Sequence, residues 1–183
     1  TFETYGMDLN HWAVKQSKSV VGKSSLQTAS AQELPFADAS FNVVIIKHIV
    51  EHLPIPEKAI TEIGRVTAKG GVLILATPNL DSLLKPWKGD RWIGYQDPTH
   101  ISLKQPDEWL ELIRNAGFSP LKIFADGFWD VPYIRFVPDQ IQKLFFCLHL
   151  WPKAFDVFFQ KNAPWFSANQ DFQRHESKKK DWN

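Results

Sequence analysis

Between Ala29 and Asn79 the chain reads ASAQELPFADASFNVVIIKHIVEHLPIPEKAITEIGRVTAKGGVLILATPN, and this stretch limits the fold more than any other. A polar turn leads into the β-branched run Phe41–Ile46, then an amphipathic segment, then Gly70-Gly71 and a second apolar run, Val72–Thr77. Phe41–Lys47 is apolar enough to be covered on both faces, as strands of parallel sheets are. Pro56 stands where a helix would start, and Ala59, Ile60, Ile63 and Val66 recur at helical spacing. Gly70-Gly71 is expected to stop that helix. Strand, helix and strand at this spacing imply a right-handed crossover and parallel pairing.

The flanking sequence continues the alternation. Tyr5–Leu9 and Leu26–Ala29 read as short strands around the segment His11–Val20, for which Asn10 is the N-cap. Val72–Ala76 is the fourth strand. Asp107–Ala116 is a helix with Trp109, Leu112, Ile113 and Ala116 on one side and Gly117 at its C-terminal cap, and Leu121–Phe124 is a fifth strand. The fold class is α/β, with a Rossmann-like, doubly wound, mostly parallel sheet. With 183 residues, the chain is long enough for one domain with a real core.

The order of these pieces resembles the core of class I S-adenosylmethionine-dependent methyltransferases, the type 11 group in particular. There an "LPF-x-D-x-SFD" stretch precedes a strand, "EHL" follows it, and "R-V-L-K-P-G-G" leads into the next strand and "TPN". The matching residues are Leu34, Pro35, Phe36, Asp38, Ser40, Phe41, Glu51, His52, Leu53, Arg65, Val66, Lys69, Gly70, Gly71, Thr77, Pro78 and Asn79. Asn42 replaces the usual Asp, and Thr67-Ala68 departs from Leu-Lys-Pro. The resemblance implies a strand and a Gly-rich turn ahead of Tyr5–Leu9, with that strand central in the sheet. The chain is therefore expected to be the C-terminal part of a longer protein, and residues 1–183 alone are expected to bind S-adenosyl-L-methionine weakly.

The resemblance also implies cofactor contacts. Asp8, at the end of the first strand with Leu9 beside it, matches the acidic residue that accepts the ribose hydroxyls; the plain alternative is an Asp that caps the next helix. Ala29-Ser30-Ala31-Gln32 aligns with "G-D-A-E", so Ser30 and the Ala31 backbone are placed at the adenine, with Ser30 a weaker partner than the acid it replaces. Lys47 occupies the strand end that borders the methionine part. For His52, a packing and hydrogen-bonding role that fixes the neighbouring loop is preferred to catalysis.

Methyl transfer asks little of side chains, but an acceptor proton needs a base. The loop Arg91–His100 follows the fourth strand, where ligands bind in parallel sheets. His100 is the candidate catalytic base, Asp97 its orienting partner, and Trp92, Asp97 and His100 the candidate substrate contacts. No metal ligand is assigned. A non-catalytic binding module of the same fold is the alternative, motivated by Ser30. Val21-Gly22-Lys23-Ser24 ends like a phosphate-binding loop but has Ser17 where a glycine is required, and a nicotinamide-dinucleotide site has no use for the LPF and EHL features.

Residues 1–126 form the expected core, 127–172 an aromatic-rich C-terminal lid or helical extension, and 173–183 a tail. No convincing last strand is evident after Gly127, and the aromatic segment reads as core packing, as a pocket lid, or as a peripheral membrane contact. A wall rich in Trp and Phe favours a small-molecule or lipid-like acceptor. The net charge of +1 gives no general pull toward nucleic acid. The single cysteine, Cys147, fits a reducing, cytoplasmic setting.

Overall fold

The computed structural model describes residues 2–82, 85–124, 136–138, 140–141 and 155–161. In chain order the elements are β1 (Tyr5–Asp8), α1 (His11–Ser17), β2 (Ser25–Thr28), β3 (Phe41–Lys47), α2 (Pro56–Val66), β4 (Thr67–Thr77), α3 (Lys85–Lys88), α4 (Ile93–Gln96), α5 (Pro106–Asn115), β5 (Phe118–Phe124) and β6 (Phe155–Lys161). β1 and β2 pair in parallel. A second sheet has the order β3-β4-β6-β5, in which β3 and β4 are parallel and β6 runs antiparallel to both its neighbours.

Helices α1, α2 and α5 form where the sequence places them, for physical reasons visible at their ends, whereas the one-turn helices α3 and α4 fall in the stretch after β4 that the sequence reads as a loop. Asn10 Oδ1 accepts the amide hydrogens of Trp12 and Ala13, which caps α1. Pro56 and Pro106 open α2 and α5, where a missing N–H costs nothing. Gly117 takes φ 89° and stops α5, as glycine does at a C-terminal cap. Ile60, Ile63 and Val66 of α2 and Trp109, Leu110 and Ile113 of α5 pack with Leu73, Leu75, Phe118 and Phe159 of the sheet in one buried cluster.

Two expectations are corrected. Gly70-Gly71 do not end α2; the helix closes at Val66, and the Thr67 hydroxyl donates back to the Ile63 carbonyl at 2.6 Å. β4 begins at once, and its pairing with β3 jumps from Phe41–Thr67 to Val43–Val72. Gly70, at φ 78°, carries the irregularity between those pairs, a conformation costly for any residue with a Cβ. The second correction is β6, a last strand within the aromatic region that joins the same sheet as β3, β4 and β5. It lies between two strands, with Phe159 fully buried, and Phe155, Val157 and Phe159 alternate with Asp156 and Gln160, a period of two broken only by Phe158. The expected helical start at Pro138-Asp139 and most of the aromatic segment lie outside the described residues.

The loop from Leu34 to Asp38 is clamped by Arg65. The guanidinium donates to Glu62 Oε1 and Oε2, to the carbonyls of Phe36 and Leu34, and to Asp38 Oδ1, at 2.7–2.9 Å. Glu62 Oε2 also accepts the Leu34 amide hydrogen at 2.9 Å. The loop in turn presents Phe36 to Phe41 and Tyr5, three rings in mutual edge contact with centroids 4.7–5.8 Å apart. This trio links β1 to the second sheet.

Hydrogen bonds from Arg65 hold the Glu62 carboxyl down at about 2, well below its ordinary 4.5. A carboxyl depressed in the folded state adds stability above its ordinary pKa, and that stability is lost as pH falls. Acid unfolding curves should therefore show Glu62→Gln less stable than the natural chain at neutral pH, with the gap closing between pH 4.5 and about 2. Arg65→Ala removes every one of these bonds and should lower the midpoint of denaturant unfolding, because the carbonyls of Leu34 and Phe36 and the Glu62 carboxylate lose their donor.

Candidate active site

The candidate site extends from the slot between β1 and β3 to the C-terminal ends of these strands. A cavity of about 530 Å³ runs between β1 and β3 and is lined by residues from Tyr5 to Leu9, Ala29 to Ala31, Val43 to Ile46, and Ile49, His52 and Leu53, among others. Of the residues expected at the cofactor, Asp8, Leu9, Ser30 and Ala31 line it. Asp8 Oδ1 accepts the Asn10 amide hydrogen at 2.7 Å, which fixes the carboxylate; Asn10 itself, not Asp8, caps α1. Asp8 Oδ2 keeps no partner among the described residues. The Ser30 oxygen accepts the Gln32 amide hydrogen at 3.2 Å, so its own hydrogen is free to donate. One end of the cavity thus combines a carboxylate oxygen, a hydroxyl and the backbone at Ala31, a donor and acceptor set that fits a nucleoside.

Lys47 is not part of this wall. It ends β3 exposed to solvent; the chain then turns through His48 at φ 52°, and Ile49 is the next residue to line the cavity. Trp92 is likewise directed elsewhere. Its side chain is 5% exposed and packs edge-on against Tyr95 at 5.0 Å and over Gly94, where a Cβ would fall 2.0 Å from the indole. The ring therefore supports the backbone of α4, and Trp92, like Asp97 and His100, is not among the residues that line the cavity.

His52 and His100 meet instead, with ring centroids 4.7 Å apart. His52 comes from the turn Val50–His52 after β3, and His100 from the loop between α4 and α5. Three contacts pin the two segments together. His52 Nδ1 donates to the Thr99 carbonyl at 3.1 Å, the Ser102 amide donates to the Glu51 carbonyl at 2.9 Å, and the Ser102 hydroxyl donates to the Leu53 carbonyl at 2.6 Å. His52 thus has the loop-fixing bond expected of it, and it also borders the cavity.

His100 is oriented by an unforeseen partner. Its Nδ1 donates to the Gly94 carbonyl at 2.8 Å, which leaves Nε2 with the lone pair in the neutral ring. Asp97 Oδ2 stands 3.8 Å from Nε2, beyond hydrogen-bond reach, so the orienting role assigned to Asp97 passes to Gly94. Asp97 Oδ1 accepts from the Thr99 amide at 2.8 Å and from its hydroxyl at 2.5 Å, and these bonds hold the Asp97 carboxyl below the usual carboxylate range. Glu51 was singled out only as half of a motif. It is fully buried, its Oε1 lies 3.3 Å from His48 Nδ1, and its Oε2 has no hydrogen-bond partner among the described residues.

Residues 2–75 match the family model for a methyltransferase domain of type 11. A probable S-adenosylmethionine-dependent methyltransferase of Mycobacterium tuberculosis is 30% identical over 133 residues, which covers 73% of this chain and 46% of that one. A ubiquinone/menaquinone biosynthesis C-methyltransferase of Rhizobium etli is 28% identical over 123 residues, covering 57% of this chain and 48% of that one. Among solved structures, an S-adenosylmethionine-dependent methyltransferase of Thermotoga maritima, described as a possible histamine N-methyltransferase, superposes with a TM-score of 0.64. It is 18% identical and covers 87% of this chain and 73% of that one. The chain spans about half the length of the curated relatives it matches. The described strands and helices have the fold of class I S-adenosylmethionine-dependent methyltransferases, and residues 2–75 are similar to the type 11 methyltransferase domain.

Proposed function

We propose that the protein transfers a methyl group from S-adenosyl-L-methionine to a small-molecule or lipid-like acceptor. One observation carries this reading: a single cavity has nucleoside-compatible polar groups at Asp8, Ser30 and Ala31, and then an apolar wall from β3 that reaches His52. When bound, S-adenosylmethionine supplies a methyl group already activated by its sulfonium, so alignment and exclusion of water account for most of the acceleration. Asp8 Oδ2 is the acceptor for the ribose hydroxyls, and the Ser30 hydroxyl and the Ala31 backbone serve the adenine. Val43, Ile45, Ile49 and Leu53 give the cavity an apolar wall. His100 Nε2, held by the Gly94 carbonyl, takes the acceptor's proton. The apolar lining and the quinone-related name of the Rhizobium relative support an acceptor with a large apolar or planar part.

The test uses the natural full-length protein, isotopically labelled S-adenosylmethionine and lipid and metabolite fractions of the source cells. Transfer of label to an extractable product is expected; no product together with no cofactor binding by calorimetry would leave a ligand-binding module in place of an enzyme.

Two substitutions read the site separately. Asp8→Ala removes a charge-assisted bond of about 1.5–3 kcal/mol and should weaken cofactor binding about ten- to a hundredfold. His100→Gln should lower turnover about a hundredfold or more with cofactor affinity little changed. Full turnover by the latter variant would remove the base assignment.

A further inference from the structure

The cluster where the EHL turn meets the following loop admits a second use, and it excludes the proton-acceptor role, because the one lone pair on His100 Nε2 either takes a proton or holds a cation; methyl transfer is compatible with either. A carboxylate oxygen of Glu51 and one ring nitrogen each of His52 and His100 lie within 4.8 Å of one another. We propose that these three side chains bind one divalent transition-metal cation.

The ring tautomers point the same way. His52 Nδ1 donates to the Thr99 carbonyl and is 2.9 Å from the Thr99 hydroxyl oxygen, whose own hydrogen goes to Asp97. His100 Nδ1 donates to the Gly94 carbonyl. Both neutral rings therefore keep their lone pairs on Nε2. A histidine whose second nitrogen is tied to a backbone carbonyl is oriented and made more basic, as metal-ligating histidines are. Glu51 supplies the independent sign: it is fully buried, yet Oε2 has no donor among the described residues, and an unsatisfied buried carboxylate oxygen is costly. A cation satisfies it. His48, 3.3 Å from Oε1, is the outer partner that would steady the carboxylate.

The donor set decides the kind of ion. Two imidazoles and one carboxylate suit manganese, iron, cobalt, nickel or zinc, whereas magnesium and calcium prefer oxygen alone. Three protein ligands leave coordination positions open, and because His52 also lines the cavity, an oxygen of the acceptor is the natural occupant of one. That use rests on the methyltransferase reading above; the binding of the cation does not.

The experiment is a calorimetric titration of the tag-free natural full-length protein, stripped with chelator, using CoCl2, ZnCl2 and MnCl2 in turn. Visible absorption of the cobalt form is recorded in parallel. One cation per chain is expected, with affinity reduced at least about tenfold in His52→Ala and in His100→Ala, and unchanged in His11→Ala, whose ring bonds Thr28. Glu51→Gln, checked for folding by circular dichroism, should lose the metal-induced rise in melting temperature. Absence of binding, or equal binding by the His52 and His100 variants, overturns the site, and so does a protonated His52–Glu51 or His100–Glu51 bridge that persists in nitrogen NMR spectra at saturating metal. Cation binding without any methyl transfer supports the site and counts against the methyltransferase reading alone, while chelator-insensitive turnover without cation binding does the reverse.

Discussion

The position of the whole cavity depends on one side chain, Arg65. A guanidinium has five N–H donors in a fixed fork and keeps its charge at every accessible pH. Here the fork is filled by Glu62, Asp38 and two backbone carbonyls of the loop between them and the sheet. Salt bridges on open surfaces are worth little because water competes for both partners; this one differs because carbonyls of Leu34 and Phe36 share the same donor. The loop is thereby given one conformation. Phe36 then fills the angle between Tyr5 and Phe41, and β1 is held at the distance from β3 that defines the cavity.

The polar ends of that cavity are built by different means. At the end proposed for the nucleoside the groups are short side chains and backbone just past β1 and β2, fixed by local bonds from the Asn10 and Gln32 amides. At the opposite end the groups are long imidazoles, and they need outside support. It comes from backbone carbonyls, Thr99 for His52 and Gly94 for His100, and Trp92 is buried against Gly94 for the same purpose. An aromatic residue expected to greet a ligand is thus part of the scaffold that aims a histidine.

Much of the fold was legible because the signals were local. β3 agrees with its apolar run residue for residue, α2 and α5 follow helical periodicity and their proline starts, and Asn10 caps α1 as its side chain dictates. Asp8, Leu9, Ser30 and Ala31 reach one cavity because they sit at strand ends, which alternation of strand and helix already reveals. What was not legible depended on partners distant in the chain. Arg65 was visible as a motif letter, but its bonds to Leu34 and Phe36 span 31 and 29 residues. The Gly94 carbonyl has no side-chain signature, so Asp97 drew the role that Gly94 performs. Gly70 was read as a helix stop because glycine serves caps and strand irregularities alike. Lys47 was placed at the site by its strand position, whereas the turn at His48 takes the chain past it. β6 was missed because its alternation is short and broken by Phe158, and its partners β4 and β5 are distant in the chain.

The placement of β6 has a consequence for the order in which the molecule is made. Ribosomal synthesis delivers β3, β4 and β5 well before Phe155–Lys161, yet β4 and β5 are joined only through that last strand. Lys161 then reaches back to the carbonyls of Gly64 and Thr67, closing the C-terminal end of a helix completed some hundred residues earlier. Until that moment β4 presents an open hydrogen-bonding edge of apolar residues, the kind of surface on which nascent chains aggregate. Contacts this remote in sequence also slow folding. A chain truncated before Phe155 would therefore keep its cavity residues and still lack a closed sheet, so the final strand governs whether everything encoded before it becomes a stable protein.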